Sequence, residues 1–165
     1  EVDITRDFQF VPDFENIEIG WMHFAAGQAP DLRMVKLGEV MADRPSENHK
    51  QGLRLRVKLG KACGGDIREL AATAKSITGP VDKLHDQYLA AKKDHAGQLP
   101  VVRMVDTKKV DTKTPKGTNT NYEPVFEIVS WVDAVAAFAP PAEAKSKEEP
   151  KTEPAKEMAD AGADF

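Results

Sequence analysis

Arg54, Arg56 and Lys58 alternate with Leu53, Leu55, Val57 and Leu59 in the run LRLRVKL. In an extended strand, alternate side chains lie about 6–7 Å apart on one face. That spacing is comparable with successive phosphates of an extended nucleic-acid strand. A cation row of this kind can hold a phosphate backbone by charge and counterion release, without reading bases. The competing reading is a solvated outer face, with long stems lying along a half-buried strand.

A second basic segment runs from Lys108 to Asn119 (KKVDTKTPKGTN), with Lys108, Lys109, Lys113 and Lys116 against the single acid Asp111. Its hydroxyls and amides can bond phosphates, and it reads equally well as an ordinary hydrophilic hairpin loop. Sequence-tolerant binding also needs aromatic faces on which bases stack. Trp21, Tyr122 and Trp131 are the candidates, with Phe24 beside them. Trp21 and Phe24 fall on opposite faces of a strand and cannot both be core. Trp131 shares a side with Val125, Glu127 and Val129. Tyr122 follows the polar loop and is the aromatic most expected to be exposed.

Other chemistry finds little support. Gly60-Lys61-Ala62-Cys63-Gly64-Gly65-Asp66 superficially resembles a phosphate loop but lacks the Gly-Lys-Ser/Thr ending. His23, His49, His85 and His95 show no metal-ligand spacing with Cys63 or with each other. No nucleophile with a neighbouring base can be named, so the expectation is a protein without catalysis, metal or cofactor.

The elements that must position these residues follow from periodicity. Alternation predicts strands over Asn16–Ala25, Leu32–Leu37, Leu53–Leu59, Leu99–Val105 (continuing toward Val110) and Pro124–Val132. Phe8, Phe10 and Val11 suggest a further strand within Asp3–Phe14. Met41–Gln51 and Asp111–Asn121 read as polar loops. Asp66 with Glu69 forms a capping-box pattern, which predicts a helix from Asp66 through Ala74. Gly79-Pro80 predicts a break and a second helix continuing to Gly97. Three strands, a helical connection and two strands is the order of the OB-fold, a five-stranded Greek-key barrel. The fold expectation is therefore mainly β with an α-helical connection, OB-fold-like, with a generic α+β sheet as the alternative.

The 165 residues divide into a domain over 1–139 and a tail over 140–165. The tail has seven acids, four lysines, four prolines and no apolar periodicity, so it is expected to be disordered. The domain keeps 20 acids and 19 bases and is nearly neutral, so any phosphate affinity depends on how its cations are distributed. One cysteine excludes an internal disulfide framework and fits a reducing cytoplasm. No apolar run is long enough to span a bilayer as a helix. A start at Glu1 instead of Met reads as a beginning inside a longer reading frame.

The tail closes on Asp160-Ala161-Gly162-Ala163-Asp164-Phe165, a bare aromatic flanked by acids. This ending, with the element order over Asn16–Val132, resembles the single-stranded DNA-binding proteins of bacteria and their phages. The resemblance implies an OB-fold that binds the strand and a tail that recruits replication or recombination partners in the bacterial host cytoplasm. On that reading Arg54, Arg56, Lys58, Lys108, Lys109, Lys113 and Lys116 contact phosphate, and Trp21, Tyr122 and Trp131 stack on bases. Asp160, Asp164 and Phe165 dock on a protein partner, no membrane is involved, and a homo-oligomer remains open. The rival is a phage structural or assembly protein, or another interaction module, that binds no nucleic acid.

Overall fold

In the computed structural model, which describes residues 8–115 and 117–139, the LRLRVKL run lies within β4 (Lys50–Leu59). Leu53, Leu55 and Val57 are buried, and Arg54, Arg56 and Lys58 take the opposite face, as the alternation predicts. Each buried aliphatic contributes about 1.5–3 kcal/mol by leaving water. Around β4 the chain arranges β1 (Gln9–Pro12), β2 (Glu18–His23), β3 (Asp31–Lys36), β5 (Ile67–Ala72), β6 (Gln98–Thr114) and β7 (Gly117–Asp133). The result is a mainly β protein with a seven-stranded antiparallel sheet ordered β3-β2-β4-β1-β6-β7, with β5 paired to β4. Seven strands thus stand where five were expected, and the sheet is open: among the described residues no pairing joins β5 to β7.

The first strand is divided for a local reason. Pro12 pairs with Val57 and Glu18 with Arg54, so Asp13–Ile17 must fit opposite Leu55 and Arg56 alone. The surplus chain forms a 3-10 turn, Phe14–Asn16, that drives Phe14 into the core and buries Asp13. The Asp13 amide still donates to the Arg56 carbonyl at 2.9 Å, which keeps the two strands in step.

The expected helix from Asp66 is instead β5. Gly64 and Gly65 adopt φ of 98° and 69°, conformations open to glycine, and turn the chain straight back on β4. Leu55 then pairs with Leu70 and Arg56 with Glu69. A strand partner already in place outcompetes a capping box, which is a local preference worth about 1 kcal/mol. The break at Gly79-Pro80 is likewise absent. A single helix, α1 (Lys75–Ala91), runs through it, burying Pro80, Val81, Leu84 and Tyr88. Gly79 has no Cβ to clash with the proline ring, so the usual bar to helix before proline is relaxed there. A short helix α2 (Ala134–Phe138) follows β7, its Asp133 N-cap accepting from the Ala136 amide at 2.8 Å.

The core gathers Phe10, Val11, Phe14, Ile17, the three β4 aliphatics, Val81, Leu84, Tyr88, Leu99 and Val102. At the other end of β4, Gly20 and Gly52 pair directly. A Cβ on Gly20 would lie 2.0 Å from the Arg33 carbonyl oxygen, and one on Gly52 2.4 Å from that of Ala72. Neighbouring backbone therefore closes over both positions. Gly20→Ala is expected to cost about 2–3 kcal/mol, among the larger single-site effects, read as a lowered urea midpoint with an unchanged slope.

His85 packs edge-on to Phe14, with ring centroids 5.1 Å apart. Burial lowers its pKa, while Asp86 and Asp82 pull the other way and Lys92 adds to the lowering. The unfolded chain therefore takes up this proton more readily than the folded one, so the His85 contribution is complete above about pH 6.5 and is lost on acidification below it. Asp82, raised by burial and by Asp86, acts in the opposite sense: its folded carboxyl holds a proton more firmly than its unfolded one. Denaturant midpoints measured between pH 7.5 and 5.5 are expected to fall less in His85→Gln than in the parent.

Candidate nucleic-acid interface

The β4 cations are not a bare ladder. Arg54 grips Glu18 at 2.6 Å, and that hydrogen bond raises its already high pKa further. Arg56 places Nε and a terminal nitrogen 3.2 and 2.6 Å from Asp13 Oδ2, and its guanidinium lies 5.2 Å from the Phe138 ring centroid. Asn16 completes the Asp13 carboxylate, donating at 2.9 and 3.1 Å. Arg56 thus ties β4, the 3-10 turn and α2 together. Lys58, half-buried, makes no ion pair among the described residues. Beside the arginines, a groove of about 320 Å³ is lined by Asn16, Glu18, Lys36 and Glu69 as well. The row keeps its strand spacing, but acids from neighbouring segments neutralise two of its three members.

The segment expected to be a polar loop, Asp111–Asn121, is strand on both sides of a tight turn. β6 and β7 pair from Gln98↔Asp133 out to Thr114↔Gly117, forming a ribbon whose far half is exposed. Register sorts its residues by face. Lys109 pairs with Tyr122 and Lys113 with Thr118, and both pairs share one side. Lys108 pairs with Glu123 on the other side, where both border α1 together with Lys83 and Gln87. Tyr122 is 64% exposed. Asp111 lies between the two lysines, 4.0 Å from Lys109 Nζ and accepting from Thr120 Oγ1 at 2.7 Å. Lys116, Asp160, Asp164 and Phe165 lie outside the described residues.

Neither tryptophan stands free. Trp21 donates from Nε1 to the Ala42 carbonyl at 2.9 Å, with the Arg44 guanidinium 5.7 Å from its ring. Arg44 in turn bonds the carbonyls of His49 and Glu47. His49 is buried, with Ser46 Oγ at 2.8 Å and Asp31 at 3.2 Å. Trp21 therefore helps to fasten the 40–49 loop. Trp131 stacks on His95 at 4.0 Å and 7°, and approaches Tyr88 at 6.2 Å.

Sequence reasoning missed an apolar cleft of about 310 Å³ between β5 and β7. Phe8, Phe10, Met104 and Phe126 line it, with Leu70 on one wall and Tyr122 on the other. Periodicity marks these residues as strand interior, and only the topology shows that one side is left uncovered. Arg68, assigned to a helix from sequence, pairs with Val57, another cleft residue, on the same face.

Fold and surface together define a mainly β protein with an open antiparallel sheet, an ion-paired cation row on one face and a basic, aromatic ribbon beside an apolar cleft. The chain matches no protein-family model, no curated protein and no solved structure. Among the described residues no helix is long and apolar enough to cross a membrane.

Proposed function

We propose that this protein binds single-stranded DNA without sequence preference, in the cytoplasm of a bacterial host, and acts by protecting the strand instead of by catalysis. The observation that carries this reading is the ribbon. An exposed Tyr122 lies directly across from Lys109, with Lys113 further along the same face. That pairs a stacking surface with phosphate-binding charge, the combination that sequence-tolerant strand binding needs. Strand order lends support. With β1 and β2 counted as one interrupted strand and β3 as an insertion, we read the order β5-β4-β1/β2-β6-β7, with a helix after β5, as that of an OB-fold without the pairing that would close it. The tail residues Asp160, Asp164 and Phe165 then recruit replication or recombination proteins.

The ion-paired state of Arg54 and Arg56 favours a second reading, an interaction or assembly module whose β4 face meets another protein. Fluorescence anisotropy separates the two. Labelled oligo-dT is titrated with the full chain at low and at physiological salt, with a duplex of equal length as control. Tight binding to the single strand, weakened by salt and much weaker for duplex, is the expected result. No binding at low salt would discard the nucleic-acid reading.

A further inference from the structure

We propose that the cleft between β5 and β7, not the outer face of β4, receives the bases of the bound strand, with Phe8, Phe126 and Tyr122 as the stacking surfaces. This deepens the single-strand reading above and rests on it. Among the described residues, β5 pairs only with β4 and β7 only with β6, so no strand fills the space between them. Its walls are side chains whose direction follows from register. Thr107 pairs with Pro124 and Lys109 with Tyr122 on one face of the ribbon, and Thr107, Pro124 and Tyr122 all line the cleft. That face is therefore the one turned to the opening.

Beneath it the rings are interlocked. Phe10 lies 5.5 Å from Phe8 and 5.3 Å from Phe126, the latter edge-on at 77°. Phe10 itself is buried, so it fixes the two outer rings without occupying the opening. The volume of about 310 Å³ lies at the small end of ligand pockets. It suits flat ring systems entering one or two at a time, not a packed helix.

Charge supplies the rest of the argument. Lys109 and Lys113 stand on the cleft-facing side of the ribbon, and Arg68 on the β5 side pairs with the cleft residue Val57. The cleft lining itself holds no cation, and Lys109 and Arg68 stand outside it, paired with the lining residues Tyr122 and Val57 on either side. This matches a polymer with anionic linkages outside and flat rings turned inward. Asp111 and Asp66 temper Lys109 and Arg68 respectively, which leaves room for salt-dependent exchange of each pair for phosphate. The β4 groove has cations but no aromatic lining.

The test compares labelled oligo-dT with an abasic deoxyribose-phosphate oligomer of the same length and charge, each titrated with the full chain at low salt. The expected result is that oligo-dT binds at least about tenfold tighter than the abasic strand. Tyr122→Ala is expected to lose about tenfold toward oligo-dT and little toward the abasic strand, with Tyr122→Phe retaining the parent affinity. Photo-crosslinking of an iodouracil-substituted strand should label Phe8, Tyr122 or Phe126. Equal affinity for the two oligomers, an unchanged Tyr122→Ala, or crosslinks confined to Trp21 and Trp131 would overturn the cleft assignment and leave single-strand binding standing. Failure of the folded parent to bind oligo-dT removes the single-strand reading, and this inference with it.

Discussion

Replacing Arg56 with alanine is expected to lower folding stability by about 2–3 kcal/mol, whereas Arg54→Ala should cost less than about 1 kcal/mol. The two arginines look equivalent in the alternation of β4, and their surroundings make them different. Asp13 is only 3% exposed and receives two donors from Arg56. Removing one partner of a buried pair leaves a carboxylate in a poor environment, a loss of about 3–5 kcal/mol in full burial. Arg56 is itself half exposed and Asn16 continues to donate, so the smaller figure applies here. Arg54 and Glu18 are each about 30% exposed at the side chain, and pairs that water reaches contribute about 0.2–1 kcal/mol. Urea unfolding of the two alanine variants checks the difference. Asp13→Asn in the Arg56→Ala background should recover part of the loss, because a neutral amide tolerates the vacated site better than a lone carboxylate does. Equal losses at the two arginines would contradict the staple role of Arg56.

That result bears on how DNA binding is tested. Charge reversal at Arg56 would set a new acid against the buried Asp13 carboxylate, and any lost affinity would be confounded with unfolding. Lys58, half-buried and without an ion pair among the described residues, is the member of the row whose replacement breaks neither arginine pair.

How much of this was legible in the sequence depends on whether the deciding contact is local. The LRLRVKL alternation fixes both faces of β4, because a period of two leaves one side for the core. Tyr122 is legibly exposed because polar residues precede it. The Asp13–Arg56 contact is not legible, since it joins residues 43 apart through a turn forced by strand register. The β5 strand is hidden for a related reason. Asp66 and Glu69 satisfy a local helix signal, while the evidence for a strand is the pairing of Leu55 with Leu70 across a turn built on Gly64 and Gly65. The cleft is hidden most fully. Phe8 and Phe10 belong to one segment and Phe126 to another far along the chain, and their sequence context describes a core that is covered on every side.

The ribbon yields the sharpest test of the binding reading, because register divides its lysines. Lys109→Gln with Lys113→Gln is expected to weaken oligo-dT binding at low salt by at least about tenfold, and to reduce the slope of log affinity against log salt by about 1.4. Each phosphate contact on a single strand contributes about 0.7 to that slope, and both lysines stand on the Tyr122 side. Lys108→Gln should leave the slope unchanged, since Lys108 faces the other way, opposite Glu123 and alongside α1. Stability should move by no more than about 0.5 kcal/mol in any of these variants, because the side chains are exposed. Composition cannot produce this contrast: Lys108 and Lys109 are adjacent, equally charged and equally exposed in class, and strand geometry assigns them to opposite faces, Lys109 near Asp111 and Lys108 opposite Glu123. If both positions lowered the slope equally, the ribbon would act as a diffuse cation. If Lys109 and Lys113 alone did so, the strand would run along the tyrosine face, where the lysines would hold its phosphates beside the aromatic opening.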